Sequence, residues 1–338
     1  MIYEFDILKP LIETFRRSPL QLNDFFQSDS EILKFENSKL AITTDTIIDE
    51  IDIGIYDDPY EIGFISVMSS VSDLTASGAS PLGILSNVEL PTNFDPKKQS
   101  ARLFEGIEEA CKLNDTYVLG GDTNWSDRLR VGTVGIGSFS GDNPVMRTGL
   151  SAGDILLSSG EFGGGNANAI NRLMNNSKYP ETLLPKKIVQ LRPLISKYAT
   201  SAIDTSDGLF MGISTLGQLN GVDFRFFKPF NELIQNDCLK ITTDADLPPW
   251  FVLAGPVGEY ELVFTVPNKH ERHIIHEASE NGINLIEIGL VVEKTQQDCS
   301  IHFGNKIIEI TSMINDVQSS KSDLKKIIKT LYSYETLS

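Results

Sequence analysis

Short apolar runs that end in an acid and a turn recur along the chain, and they predict strands alternating with helices. Leu40–Ile48 is built of apolar, β-branched and threonine residues, which is typical of a strand. Tyr60–Ser77 and Lys97–Asn114 carry apolar residues at helical spacing, whereas Pro81–Glu89 and Val131–Phe139 have the pattern of strands. Because strands and helices alternate in both halves, the pattern predicts an α/β or α+β fold.

The N-terminal stretch, residues 1–27, is predicted to be an amphipathic helix followed by a connector. Leu8, Leu11, Ile12 and Phe15 recur there at helical spacing. Such a helix would bury one face against the rest of the protein.

A turn-rich stretch, Ser140–Pro144, is the predicted domain boundary. At 338 residues the chain is long enough for two domains, each with its own core. From Ser319 onwards the chain is polar and rich in lysine, which predicts a marginal helix or a loose tail. The expected division is an N-terminal domain over 1–141, a C-terminal α/β domain over 142–318 and a polar tail over 319–338.

Composition and charge narrow the classes of partner. Hydrophobic residues make up 41% and charged residues 22%, as in ordinary globular proteins. A net charge of −17 argues against nucleic acid or an anionic membrane as a partner, and an anionic substrate would need local neutralisation, for example by metal ions. Cys111, Cys238 and Cys299 form no CxxC pair, and we find no signal-peptide pattern and no apolar run near the roughly 18 residues of a membrane span. A cytoplasmic location is therefore expected.

Four segments place an acid beside a hydroxyl or glycine at the edge of an apolar run. Asp45 lies between two threonines at the end of the first strand, and carboxylate and hydroxyl oxygens suit Mg²⁺ rather than zinc. Asp73 follows Ser72, and the other acids lie in Gly120–Thr123 and Ala202–Gly208. Any one of them alone is more often a helix cap or an Asx-turn. Together they predict acids that converge on metal ions holding a nucleotide triphosphate.

The glycine run Gly163–Gly165 precedes a predicted helix, so its N–H groups could bind phosphate, but a tight strand-to-helix turn is the favoured interpretation. The chain has neither a GxxxxGK[ST] nor a GxGxxG fingerprint. If ATP binds, it binds by another scheme.

Seven motifs occur in an order that resembles the thiamine-monophosphate kinase family, within the aminoimidazole ribonucleotide synthetase superfamily. The resemblance covers roughly residues 28–310. The motifs are Thr43–Thr46, Ser72–Pro81, Gly120–Thr123, Arg147–Gly149, Gly153–Asp154, Leu191–Pro193 and Ser201–Leu209.

The resemblance implies a two-domain aminoimidazole ribonucleotide synthetase-like fold, whose N-terminal sheets pair across a homodimer. It also implies an ATP cleft lined by acids and several Mg²⁺, and direct transfer of the γ-phosphoryl group to a small molecule. Gly121, Arg147 and Ser206 would contact the nucleotide, and Asp207 would also be catalytic. By motif match the metal ligands would be Thr43, Thr44, Asp45, Asp73, Asp122, Asp204 and Asp207.

Four departures from the family pattern concern the metal and the acceptor. The first family signature is reduced to Ser28–Ser30, where Asp29 would supply one metal ligand. The family's substrate-binding His, Glu and aromatic residue correspond to Asp52, Gly258 and Met313. We therefore slightly favour an acceptor other than thiamine monophosphate. Thiamine monophosphate itself, an ATP-dependent synthetase that activates a carbonyl or amide oxygen, and a non-catalytic nucleotide-binding dimer stay open as alternatives.

Overall fold

Two β-sheets, one from each half of the chain, organise the computed structural model. The structure describes residues 3–95, 97–139, 143–174, 179, 182–296, 298–320 and 323–334, with the backbone alone at 3–6 and 49. The first sheet has the order β1-β2-β5-β3-β4, in which only the β3–β4 pair is parallel. Its strands are β1 Glu31–Phe35, β2 Ser38–Ile47, β3 Ser80–Pro91, β4 Val118–Ser126 and β5 Arg130–Phe139.

The helices of this half are α1 Tyr3–Ile12, α2 Asp49–Asp52, α3 Pro59–Ala76 and α4 Gln99–Leu113. The buried helix α3 lies against β2, β3 and β5, and α4 packs on α3. Glycines allow the two helices to cross closely, since a Cβ on Gly106 would lie 2.0 Å from the carbonyl oxygen of Tyr60.

The second sheet has seven strands in the order β12-β11-β8-β10-β6-β9-β7. They are β6 Ile155–Ser158, β7 Ser201–Asp204, β8 Val222–Phe226, β9 Leu262–Val266, β10 Ile286–Glu293, β11 Ser300–Phe303 and β12 Lys306–Glu309. The helices of this half are α5 Gly164–Leu173, α6 Arg192–Tyr198, α7 Leu209–Asn220, α8 Asn236–Asp244, α9 Phe251–Ala254, α10 Glu271–Glu280, α11 Thr311–Gln318 and α12 Leu324–Tyr332.

The main hydrophobic core runs through both halves without a break, from Ile47 to Leu331. A smaller cluster lies under β1 and β2 and includes Ile32 and Leu74. Along the described chain we find no helix with the length and apolar character that a membrane span requires. The mixed α/β architecture with two sheets confirms the predicted fold class. The limits at 141 and 318 stay predictions.

The two ends of the chain differ most from the expectations. The first helix stops at Ile12, and Leu11 and Phe15, which were expected on a buried face, are 60% and 67% exposed. Beyond Ser319, in contrast, α12 is a packed helix whose apolar side chains Ile327 and Leu331 are buried against the core. The apolar residues of α12 recur at helical spacing among the lysines, so the sequence already contained the pattern of an amphipathic helix.

Candidate active site

Three acids from distant parts of the chain meet between the two sheets. Asp29 precedes β1, Asp73 lies near the end of α3, and Asp204 is the last residue of β7. One carboxylate oxygen from each lies within 4.8 Å of the others. The structure therefore brings together three of the predicted metal ligands, although they are 44 or more residues apart in sequence.

Hydroxyl groups fix the orientation of two of these acids. Thr43 on β2 donates a hydrogen bond to Oδ2 of Asp73. Asp204 accepts from Ser72 Oγ at 2.6 Å and from Ser206 Oγ at 2.9 Å, one on each carboxylate oxygen. Because Ser72 is on α3 and Asp204 is on β7, this bond joins the two halves at the site.

Arg147 partly neutralises the acids. Its guanidinium pairs with Asp29, whose side chain is only 1% exposed. Burial disfavours the charged form of Arg147, but the charge of Asp29 and the hydrogen bonds to it outweigh this effect and raise the arginine pKa. Arg147 was predicted to contact the nucleotide, and the structure places it beside the acids.

Burial raises the pKa of every acid in this group, and repulsion from neighbouring acids adds to it at Asp29, Asp45 and Asp73. Burial raises the pKa of Asp29 to about 6, with a further contribution from Asp204 that Arg147 opposes. Burial and Asp204 likewise raise the pKa of Asp45 to about 6. The pKa of Asp73 is raised well above its ordinary value, by burial and then by Asp45 and Asp204, and burial also raises that of Asp204. These carboxyl groups resist being charged together unless a cation joins them.

The donor set fits a hard divalent cation such as Mg²⁺. All three ligand atoms are carboxylate oxygens, and the hydroxyl of Thr43 lies in hydrogen-bond contact with Asp73. Asp45 is hydrogen-bonded to Asp73 and so lies beside the same group. A bound cation would offset the charge repulsion that burial creates.

Asp122 lies apart from this group within one chain. It is exposed on the edge strand β4 and accepts a hydrogen bond from Asn124 at 2.7 Å. In the sheet register Asp122 is level with Thr46, three strands away, which is about 14 Å at ordinary strand spacing. Thr46 is three residues beyond Thr43 and so faces the other side of the sheet. The expectation that all the acids converge therefore does not hold for Asp122 in a single chain.

The remaining predicted metal and nucleotide residues lie on exposed parts of the same structure. Thr44 is exposed on β2, and Gly121 precedes Asp122 on β4. Gly121 is close to the neighbouring strand, because an added Cβ would lie 1.8 Å from the carbonyl oxygen of Ser86. Ser206 is exposed and Asp207 half-buried in the loop between β7 and α7, directly after Asp204. Because this loop directly follows Asp204, its side chains are near enough to contact a ligand bound at the acids.

The three positions assigned to the acceptor do not form one surface. Asp52 is exposed at the end of α2 and pairs with Arg128 at 2.8 Å. Met313 is completely buried in the core and has no surface to offer an acceptor. At Gly258 an added Cβ would lie 1.5 Å from the carbonyl oxygen of Thr205, so close backbone packing requires glycine there.

The glycine run before α5 forms a tight structural turn, as favoured from the sequence. Gly163 has φ +106°, a left-handed conformation suited to glycine, and its N–H donates to Oε2 of Glu259 at 2.8 Å. That N–H is therefore engaged by the protein itself. Sequence reasoning missed Glu259, although it directly follows Gly258, a position that the family pattern had already marked.

One protein family and several known proteins are similar to this chain in sequence. The family described as AIR synthase related protein, N-terminal domain, matches residues 27–139. The thiamine-monophosphate kinase of Methanocaldococcus jannaschii is 26% identical over 310 residues, covering 87% of this chain and 94% of that protein. The thiamine-monophosphate kinase of Pyrococcus horikoshii is 27% identical over 274 residues, covering 79% and 83%.

Two solved structures share the fold. AaThiL complexed with AMPPCP and TMP superposes with a TM-score of 0.74 at 23% identity, covering 90% of this chain and 96% of that one. The hydrogenase maturation protein HypE in complex with ATP superposes with a TM-score of 0.69 at 15% identity, covering 91% and 97%. These superpositions cover nine tenths of the chain, and so extend well beyond the first sheet.

Proposed function

Because this chain belongs to the thiamine-monophosphate kinase family of the AIR synthase-like superfamily, we propose that it transfers the γ-phosphoryl group of ATP to thiamine monophosphate. Its cofactors are ATP and Mg²⁺. The observation that carries the proposal is the partly buried group of Asp29, Asp73 and Asp204, whose oxygens lie within 4.8 Å of one another. Such a donor set suits a metal-bound polyphosphate.

Phosphoryl transfer depends on positioning and charge neutralisation more than on a nucleophilic side chain. Bound Mg²⁺ supplies positive charge to the phosphate oxygens. Asp29, Asp73 and Asp204, with Asp45 and Thr43 beside them, would hold the ions. Thr44, Asp122 and Asp207 stay proposed ligands, and Asp207 is also the proposed catalytic residue. Gly121, Arg147 and Ser206 are the proposed nucleotide contacts.

The acceptor is revised from the one favoured on sequence grounds. An acceptor other than thiamine monophosphate finds no support in the comparisons, since the curated relatives are thiamine-monophosphate kinases. Two of the three acceptor positions also no longer argue against thiamine monophosphate, because Met313 lies in the core and backbone packing requires glycine at position 258. At the third, Asp52, the pairing with Arg128 partly offsets its negative charge.

A homodimer and a cytoplasmic location belong to the same proposal. Among the described residues, strand β4 is an edge strand of the first sheet, and it carries large exposed apolar residues, among them Leu119 at 54% and Trp125 at 61%. A second copy that covers this strand would bury these side chains. It would also meet Asp122, which lies on the same strand.

The test measures product directly. Wild-type protein is incubated with ATP, Mg²⁺ and thiamine monophosphate, and thiamine diphosphate and ADP are quantified. Turnover at rates usual for kinases, about 1–100 per second, supports the proposal. Thiamine, which lacks the phosphate, is the matched control substrate, and Asp204→Asn is the control protein.

Binding measured by calorimetry separates the ways in which the proposal can fail. ATP that binds with Mg²⁺ but not in EDTA, without turnover of thiamine monophosphate, would leave a nucleotide-binding protein with another acceptor or none. Equal ATP affinity in EDTA and in Mg²⁺ would refute the metal-bridged site itself.

A further inference from the structure

The buried carboxyl group of Glu259 joins two segments that border the site. Its Oε2 accepts the N–H of Gly163 at 2.8 Å, and its Oε1 accepts the hydroxyl of Thr205 at 2.9 Å. Glu259 is 7% exposed and Thr205 is fully buried. Thr205 is the residue directly after Asp204 and directly before Ser206. The glutamate therefore links the turn before α5 to the loop that carries the acids.

The backbone around this link is packed without free space. The N–H of Gly258 donates to the carbonyl of Ser206 at 2.9 Å, and the N–H of Thr205 donates to the carbonyl of Glu261 at 2.9 Å. An added Cβ on Gly165 would lie 2.1 Å from the carbonyl oxygen of Gly258. The loop after β7 is thus held by backbone bonds on one side and by the Glu259 side chain on the other.

A carboxyl group is a costly choice for this position if it serves packing alone. Burial raises the pKa of Glu259 to about 8, against the lowering effect of its two hydrogen bonds. A neutral amide side chain could keep both hydrogen bonds without this cost, because buried ionisable groups are unfavourable unless well paired. Buried ionisable groups that lower stability in this way are found mainly at functional sites.

We infer that Glu259 is a positioning residue for phosphoryl transfer: through Thr205 it holds the Asp204–Asp207 loop in the conformation that places its acids toward the metal-bound phosphates. This inference rests on the proposed function. Glu259 is not one of the three acids whose oxygens lie within 4.8 Å of one another. Its effect passes through the hydroxyl of Thr205 and the backbone of the loop.

Two pairs of variants test the role of the hydrogen bonds. Glu259→Leu and Thr205→Val remove the link, whereas Glu259→Gln and Thr205→Ser can keep it. A glutamine oxygen can accept from Gly163 while its amide donates to the Thr205 hydroxyl, which is able to accept. We expect the first pair to lose about 10-fold or more in kcat, with the KM for thiamine monophosphate changed by less than about 3-fold, and the second pair to stay within about 3-fold of wild type.

A second readout does not depend on turnover. Binding of Mn²⁺ with a non-hydrolysable ATP analogue, followed by electron paramagnetic resonance, should weaken by about 10-fold in Glu259→Leu and Thr205→Val. The control is Asn114→Leu, because the Asn114 side chain also bridges buried backbone, to the N–H groups of Ile188 and Val189, but away from this loop. It should lower thermal stability and leave kcat and Mn²⁺ binding near wild type.

The outcomes are distinguishable. Wild-type kcat and Mn²⁺ binding in Thr205→Val, whose thermal stability confirms that it folds, would overturn the inference while the proposed function stands. Loss of activity in Glu259→Gln equal to that in Glu259→Leu would also overturn it, by showing a need for the charged group. Failure of wild-type protein to bind the nucleotide with metal would refute the proposed function instead.

Discussion

Arg147 donates two hydrogen bonds to the same oxygen of Asp29, from Nε at 3.0 Å and from Nη2 at 2.6 Å. The second oxygen of the carboxylate is not used by this pair, so Asp29 can join Arg147 and a metal ion at once. Both side chains are largely buried, at 20% and 1% exposed, so removal of either one leaves the other buried without its opposite charge.

Removing Arg147 should therefore destabilise the metal-free protein. Arg147→Met leaves a buried carboxylate without its cation, which typically costs about 3 kcal/mol or more. In Asp29→Asn/Arg147→Met most of that loss should be recovered, since no charge is left unpaired. Urea unfolding in EDTA measures all four proteins of the cycle. Strictly additive losses in the double variant would show that the two residues do not act as a pair.

The stability of the metal-free protein should rise as the pH falls from about 7.5 to 5. The pKa values of Asp29 and Asp45 are both raised to about 6, so the folded state binds protons that the unfolded state releases. Their contribution is fully present below the ordinary carboxyl pKa near 3.8 and is lost as the pH rises through 6. For each group the slope reaches about 1.4 kcal/mol per pH unit only between pH 4 and 6 and fades above 6, so each contributes roughly 1.4 kcal/mol in total between pH 7.5 and 5.

Thermal unfolding in EDTA between pH 5 and 8 checks this dependence. Saturating Mg²⁺ should flatten or reverse it, because the metal binds the charged carboxylates. Asp45→Asn should also reduce the slope in EDTA. A stability that falls steadily from pH 7.5 to 5 in EDTA would contradict the electrostatic description of the site.

Asp73→Asn and Asp122→Asn should both lose activity, but only Asp73→Asn should change the stability of the metal-free protein. At Asp73 the amide removes one of several buried like charges and can donate to Asp45, so the metal-free protein should gain stability. At the exposed Asp122 the melting temperature should stay near wild type. Both variants should lose turnover by about 100-fold or more, because each would lack a charged oxygen ligand. Wild-type turnover in Asp122→Asn would leave that residue a surface acid.

The protein should be a homodimer that a charge on β4 disrupts. Light scattering of wild type at micromolar concentration should give twice the chain mass of 37.4 kDa. Leu119→Lys places a charge on the exposed edge strand and should give the monomer. Ile307→Lys is the matched control, since Ile307 is 51% exposed on the edge strand β12 of the other sheet. A wild-type mass near that of one chain would count against pairing through β4.

The local pattern was sufficient for the large elements and for the chemistry of individual residues. The helix α3 and the strand β2 follow from long, regular periodicity, and Asp45 and Asp73 stand out by their hydroxyl neighbours. The five-residue strand β1 was missed because a run that short carries too little periodicity to separate it from a turn.

Periodicity could not predict that Asp29, Asp73 and Asp204 lie close together, because their proximity depends on how the two sheets pack across α3. The ordered motifs supplied that information through the family resemblance. They also grouped Asp122 with the others, because a motif order does not say on which face of a sheet, or in which copy of the chain, a residue lies. Met313 shows the same limit: an aligned position can lie in the core.

The helix α3 lies inside the protein over most of its length, with every residue from Ile62 to Ala76 buried except Asp73. It packs on the first sheet, and Ser72 bonds to Asp204 of the second. The two halves of the gene therefore do not encode two self-sufficient pieces. If the chain were divided at residues 140–142, each fragment would expose what the other covers, and Asp73 and Asp204 would be on different molecules. Kinase activity restored by mixing the fragments would then be a direct signal that they had reassembled.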